Sequence, residues 1–182
     1  MNPSLKKRTK RSQSGISLIE TMVALAILLI CSIGILSMAA LSMTTTENQG
    51  HLAARTTEYA QDKMEQLMGL AFVDVGTDTT SIDTATNSYT LGTGGTGLTA
   101  NGSLSTTAPT NGYVDYLDAN GNPLGGGATR PAKAFYIRVW KIVDDATGTL
   151  KTITVKVAAV TGVNGANSAP NSTVTALKTR PF

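Results

Sequence analysis

The chain has 182 residues, enough for one modest domain plus an N-terminal extension. Its formal net charge is +3, yet Lys6, Lys7, Arg8, Lys10 and Arg11 place five cations and no acid in the first fifteen residues. The remainder is mildly acidic, which removes the electrostatic ground for nucleic-acid binding, and a single cysteine, Cys31, excludes an intramolecular disulfide.

In chain order, residues 1–15 form a basic leader that ends at Gly15. Between Glu20 and Glu47 no residue is charged, and Met22–Met43 is dominated by Leu, Ile, Ala, Met and Val. About 20 apolar residues cross a bilayer as a helix, so this run is long enough. Proline is absent from Ser4 to Ala108. The pattern therefore predicts one helix from Ile16 to about Leu70, about 80 Å long. Basic residues before the run, against Glu47 after it, predict a cytoplasmic N-terminus with the rest outside.

A secretory signal cut near Ser37–Ala40, or a plain one-span anchor, shares most of these features. Neither accounts for Glu20. A carboxylate inside a membrane helix costs about 2.5–3.5 kcal/mol at the centre and less near the interface. Cutting the chain between Gly15 and Ile16 supplies a partner. The new α-amino group of Ile16 is a cation four residues from Glu20, about 6 Å along a helix axis. Opposite charges attract far more strongly in hydrocarbon than in water. If the partner is the N-terminus of a neighbouring copy, Glu20 sets the register of assembly.

The stretch "SGISLIETMVALAIL", from Ser14 onward, resembles the cleavage and methylation signature of type IV prepilins: a basic leader ending in Gly, a hydrophobic residue, "xLIE" and an apolar helix. Ile16 departs from the pattern, since the family most often has Phe there. The proline common in the later apolar segment of major pilins is also missing. The resemblance implies cleavage after Gly15 by a prepilin peptidase, N-methylation of Ile16, and a role for Glu20 in helix-bundle assembly. The implied partners are other pilins, the prepilin peptidase, the inner-membrane pilus assembly machinery, and membrane lipid before assembly.

From Glu47 to Ala71 the residues Ala53, Thr57, Ala60, Met64, Leu67 and Ala71 recur at helical steps of four and three. Leu52, Tyr59 and Met68 broaden that apolar stripe, while Arg55, Glu58, Asp62 and Glu65 fall largely elsewhere. "AQDKMEQL" in this helix is similar to a segment of the pilus-modification (PilV-like) group of minor pilins. His51, the only histidine, reads as a surface residue and has no second imidazole with which to bind metal.

Residues 73–131 are rich in Thr, Gly, Asn, Ser and Asp. Ser88–Leu91 and Tyr113–Leu117 are short strand candidates. Residues 91–112 read as a mobile exposed loop. Gly92, Gly94 and Gly97 match G-x-G-x-x-G, but no helical period follows them, so a dinucleotide site is not expected. Asp118, Asn120 and Asn122 resemble the opening of a calcium loop. Pro123 replaces its glycine and Thr129 its glutamate, so a β-turn is the better reading. A looser calcium site of Asp115, Asp118, Asn120 and Asn122 is the only metal candidate, and no cofactor is expected. Asn101-Gly-Ser and Asn171-Ser-Thr match the glycosylation sequon.

Ala134–Val143 and Leu150–Val160 read as two strands joined by the hairpin loop "DDATG", with a third at Thr173–Lys178. Ile153, Val155, Val157 and Ala159 share one face of the second strand, and Thr152, Thr154 and Lys156 the other. One face is thus expected on the helix and one toward solvent. "VW" followed by "LKTITVKVA" is similar to the end of PilV-like proteins. The expected fold class is α+β, a pilin-like lollipop. Its parts are a leader (1–15), a transmembrane or filament-core helix (16–46), an amphipathic continuation (47–71) and a globular β head (72–182).

Three function classes follow. The first is a non-enzymatic minor pilin of a type IV pilus, placed in the bacterial inner membrane and then in the filament, serving motility, adhesion or DNA uptake. The second, a pseudopilin of type II secretion or DNA uptake, shares the same N-terminal physics. The third is a secreted or membrane-anchored enzyme or binding module. No catalytic constellation supports an enzyme, because the head's aspartates, Asp115 among them, read as solvated turn residues.

Overall fold

The computed structural model describes residues 17–160 and 170–181. The chain divides between Thr46 and Glu47 into two compact units. One helix, α1 (Leu18–Gly69), contributes to both. The carbonyl of Ser17 opens it by accepting the N–H groups of Glu20 (2.9 Å) and Thr21 (3.2 Å). No proline interrupts its 52 residues. Gly34 and Gly50 are tolerated inside it, each at about 1 kcal/mol relative to alanine. At the far end, Lys178 Nζ donates to the carbonyl of Met68 (2.6 Å). A lysine there satisfies an orphan carbonyl and complements the helix dipole.

The second unit is built on antiparallel strands. Five are two-residue pieces: β1 (Thr77–Asp78), β2 (Ile82–Asp83), β3 (Ser88–Tyr89), β4 (Gly92–Thr93) and β5 (Asn101–Gly102). The longer ones are β6 (Val114–Leu117), β7 (Pro123–Gly126), β8 (Tyr136–Asp144), β9 (Leu150–Ala159) and β10 (Asn171–Thr179). The principal sheet runs β10-β9-β8-β6-β7, with β5 added along β8. The fold is therefore α+β, one long N-terminal helix with an antiparallel sheet.

The alternation read in β9 is the alternation observed. Ile153, Val155, Val157 and Ala159 are buried, and Thr152, Thr154 and Lys156 are half-exposed. The buried row packs with Ala60, Met64 and Leu67 of α1 and with Trp140 of β8 in the main core. The opposite face is not all solvated. Val114, Tyr116, Ile137 and Val139 form a second cluster there with Ala134, because the chain between β7 and β8 folds back over them.

Two expectations need correction. Ala53, Thr57 and Ala71 are exposed, whereas Thr56 and Lys63 are buried beside the expected Tyr59, Ala60, Met64 and Leu67. The buried stripe is rotated because Lys63 turns inward. Residues 91–112 are not a simple exposed loop. Leu98 is fully buried in the main core, and the N–H groups of Gly95, Gly97 and Leu98 bond the carbonyls of Gly76, Thr77 and Asp74. Gly95 allows this, since a Cβ there would collide with the backbone of Asp78.

Candidate functional site

The first candidate is the N-terminal part of α1. Every large apolar side chain from Leu18 to Met43 is more than half exposed. In water that surface is costly, at about 1.5–3 kcal/mol for each large side chain that could be buried instead. The segment is long and apolar enough to cross a membrane. Its hydroxyls turn back on the helix: Thr21 to Leu18 O, Ser32 to Leu28 O and Ser37 to Ile33 O, at 2.7–2.8 Å. Such bonding hides polar groups where no water can satisfy them. Glu20 has no such partner in its own helix and stands exposed in the first turn. Gly15 and Ile16, the expected cleavage junction, lie outside the described residues.

A second constellation, unexpected from sequence, lies inside the head. Asp115 is wholly buried and accepts two bonds from Arg138, Nε at 2.6 Å and Nη2 at 2.9 Å. Lys63 Nζ stands 3.0 Å from Oδ2, the oxygen that Arg138 Nη2 also bonds. The same ammonium donates to Gln66 Oε1 (2.8 Å) and to the carbonyl of Thr79 (2.7 Å). It also sits 4.1 Å from the centre of the Trp140 ring. Three acceptors for three protons, with an aromatic face beside them, satisfy a buried ammonium fully.

Burial lowers the Lys63 amine to about 8, against the pull of Asp115 in the other direction. Burial alone would raise Asp115, but Arg138 and Lys63 together hold it below the ordinary carboxylate range. Tyr89 stacks on the Arg138 guanidinium at 4.7 Å, and burial raises its hydroxyl. The constellation ties α1, the segment around Thr79, β6 and β8 into one unit. Beside it lies a cleft of about 390 Å³ lined by Tyr59, Asp62, Tyr89, Pro123 and Arg138. Asp62 and Arg138 set opposite charges on its wall.

The expectation that Asp115 is a solvated turn residue is thus overturned: it is a strand residue at the centre of a buried ion cluster. The structure does not gather the calcium candidates around one point. Both Asp115 oxygens are taken by Arg138 and Lys63. Asp118 uses its carboxylate to close the β6–β7 turn, accepting the N–H groups of Asn120 and Asn122 and the Asn122 amide at 2.8–2.9 Å. Among the described residues no group of three or more His, Cys, Asp or Glu side chains is arranged to hold a metal ion.

Residues 10–41 match the family model described as the prokaryotic N-terminal methylation motif. No curated protein and no solved structure matches the chain. The matched segment is a type IV pilin-like signal and covers the last residues of the leader, Gly15, Ile16, Glu20 and most of the apolar helix. Such a signal implies processing by a prepilin peptidase and assembly with other pilins. With one apolar N-terminal helix it fits membrane anchoring before assembly.

Proposed function

We propose that this chain is a non-enzymatic structural subunit of a type IV pilus, a minor pilin most like the pilus-modification (PilV-like) group. The peptidase cuts after Gly15, Ile16 becomes the methylated N-terminus, and Glu20 meets the amino terminus of a neighbouring subunit. Before assembly the protein spans the inner membrane once, with its basic leader in the cytoplasm and its head outside. One observation carries the reading. The described part of the segment that matches the methylation motif is a bare apolar helix whose first turn carries a carboxylate with no partner among the described residues. Such a surface is stable only in lipid or among other apolar helices.

The test is mass spectrometry of purified filaments from a strain expressing the full chain. A peptide beginning at N-methylated Ile16 is expected. A mature protein that begins near Ala40, or still carries residues 1–15, overturns the reading.

A further inference from the structure

Among the described residues, most of the head's uncommitted charges fall on two opposite faces, acids on one and cations on the other. Its seven aspartates outside α1 are all engaged. Five cap turns, as Asp74 does for Gly76 and Thr77 and Asp145 does for Thr149 and Leu150. Asp115 is buried with Arg138 and Lys63, and Asp144 pairs with Lys151 at 2.7 Å. The free acids of the head are therefore on α1. Glu58 and Glu65 are seven residues apart, two turns on one side of the helix, with Asp62 between them. All three are exposed, on the side away from the buried Ala60, Met64 and Leu67.

The cations show the reverse arrangement. Lys63, Arg138, Lys151 and Lys178 are all tied inward by the bonds described above. Among the described residues, the side chains of Arg130, Lys133, Lys141 and Lys156 make neither an ion pair nor a hydrogen bond, and the same holds for Arg180, which lies apart from them beside Thr149 and Leu150 at the end of β10. Lys141 and Lys156 stand on the outer face of the sheet, since their neighbours Trp140 and Val155 pair across β8 and β9 on the buried side. Arg130 and Lys133 lie in the segment that covers the same outer face, beside Ala134. Acidic helix, apolar core and basic sheet thus succeed one another through the head.

We propose that the basic outer face of the sheet in one copy receives the acidic face of α1, Glu58, Asp62 and Glu65, from a second copy of this chain. Charge complementarity selects this occupant. The two faces belong to the same molecule and carry opposite sign, and among the described residues their side chains keep no ion pair apart from the exposed Arg55–Glu58 pair (3.6 Å), Asp62 facing Arg138 only across the cleft. Because the two surfaces differ, the contact is heterologous and leaves a free acidic and a free basic face for further copies. The proposal rests on the head alone and stands whether or not the N-terminal reading does.

The experiment is zero-length carbodiimide coupling, which joins a carboxylate to an amine only at contact, on membranes holding a mixture of isotope-labelled and unlabelled full-length chains. Mixed-isotope links from Glu58, Asp62 or Glu65 to Lys133, Lys141 or Lys156 are expected. They should vanish in about 1 M salt, where screening acts within about 3 Å. They should also be lost in Glu58→Lys/Glu65→Lys. They should return when that chain also carries Lys141→Glu/Lys156→Glu, now as reversed links. All four positions are at the surface, and Trp140 fluorescence verifies that each variant is folded. Links within one chain only, links of these bases to a different protein, or failure of the fourfold variant to recover would overturn the proposal.

Discussion

Lys63 Nζ and Asp115 Oδ2 lie 3.0 Å apart, and neither side chain has any exposure to solvent. The pair is not isolated, because Arg138 holds the same carboxylate through two further bonds. Removing the anion is therefore worse than removing either cation. In Asp115→Asn, Lys63 and Arg138 face each other without a counter-charge, and a loss of about 3–5 kcal/mol is expected. In Lys63→Met, Arg138 still pairs Asp115 through both oxygens, and the Thr79 carbonyl, the Gln66 amide and Asp115 Oδ2 each lose one donor. That change should cost about 1–3 kcal/mol. Urea unfolding of the full chain in detergent, followed through Trp140, measures both, since it is the only tryptophan and is buried. Equal losses in the two variants would contradict this account.

The same cluster gives the head an unusual alkaline response. Lys63 titrates at about 8 when folded, below its ordinary 10.5. Between those values the unfolded chain binds the extra proton, so stability should rise with pH, by at most about 1.4 kcal/mol per unit. Asp115 acts at the other end. Its depressed value contributes stability that is present above pH 3.8 and lost as the pH falls through the lower folded value. Unfolding at pH 7, 8, 9 and 10 should show the rise in the wild type and a flatter profile in Lys63→Met.

The contrast between β9 and Lys63 shows what sequence carries. The β8–β9 hairpin is legible because local chemistry repeats: β-branched residues alternate, and Gly148, at φ +65, closes a loop where few other residues fit. The buried side of α1 is legible through Ala60, Met64 and Leu67, with Tyr59 broadening it and Leu52 and Met68 packed against it. Lys63 has the right spacing, three residues after Ala60 and four before Leu67, but a lysine is excluded from cores unless paired. Its partner Asp115 is far along the chain, and only the tertiary fold brings them together. The one local hint is an aspartate between the apolar Val114 and Tyr116 of β6. Glu20 stands out in the sequence for the opposite reason, as a charge at the start of an apolar segment, and the structure leaves it exposed in the first turn of α1.

Gly121 provides a local test of the cleft. It adopts φ +88 in the β6–β7 turn, and a Cβ there would strike the hydroxyl end of Tyr59. Tyr59 cannot easily withdraw, since its ring stands edge-on to Tyr136 at 5.0 Å. Gly121→Ala should lose about 1–2 kcal/mol to backbone strain alone, and more from the displaced ring. Gly127 has φ +128 with nothing within 4 Å of a Cβ, so Gly127→Ala should show the strain without the contact. A larger loss at Gly121 than at Gly127, measured by the same Trp140 unfolding, is the expected result.

If Glu20 meets the amino terminus of a neighbouring copy, as proposed, its substitution separates insertion from assembly. The helix around it is apolar enough to enter a membrane without the carboxylate, and removing that charge makes entry easier. Glu20→Ala should therefore reach the membrane in full amount. Its assembly should fail, because the liberated amino terminus of the neighbouring copy then faces hydrocarbon without a counter-ion. Glu20→Asp keeps the charge on a shorter side chain and should assemble partly. A substitution at Gly15 should act one step earlier, leaving the leader attached and no amino terminus to pair. Fractionating cells into membrane and sheared filaments, with immunoblotting for the head, distinguishes the three. Wild-type levels of Glu20→Ala in the filament fraction would show that the carboxylate is not what aligns the copies.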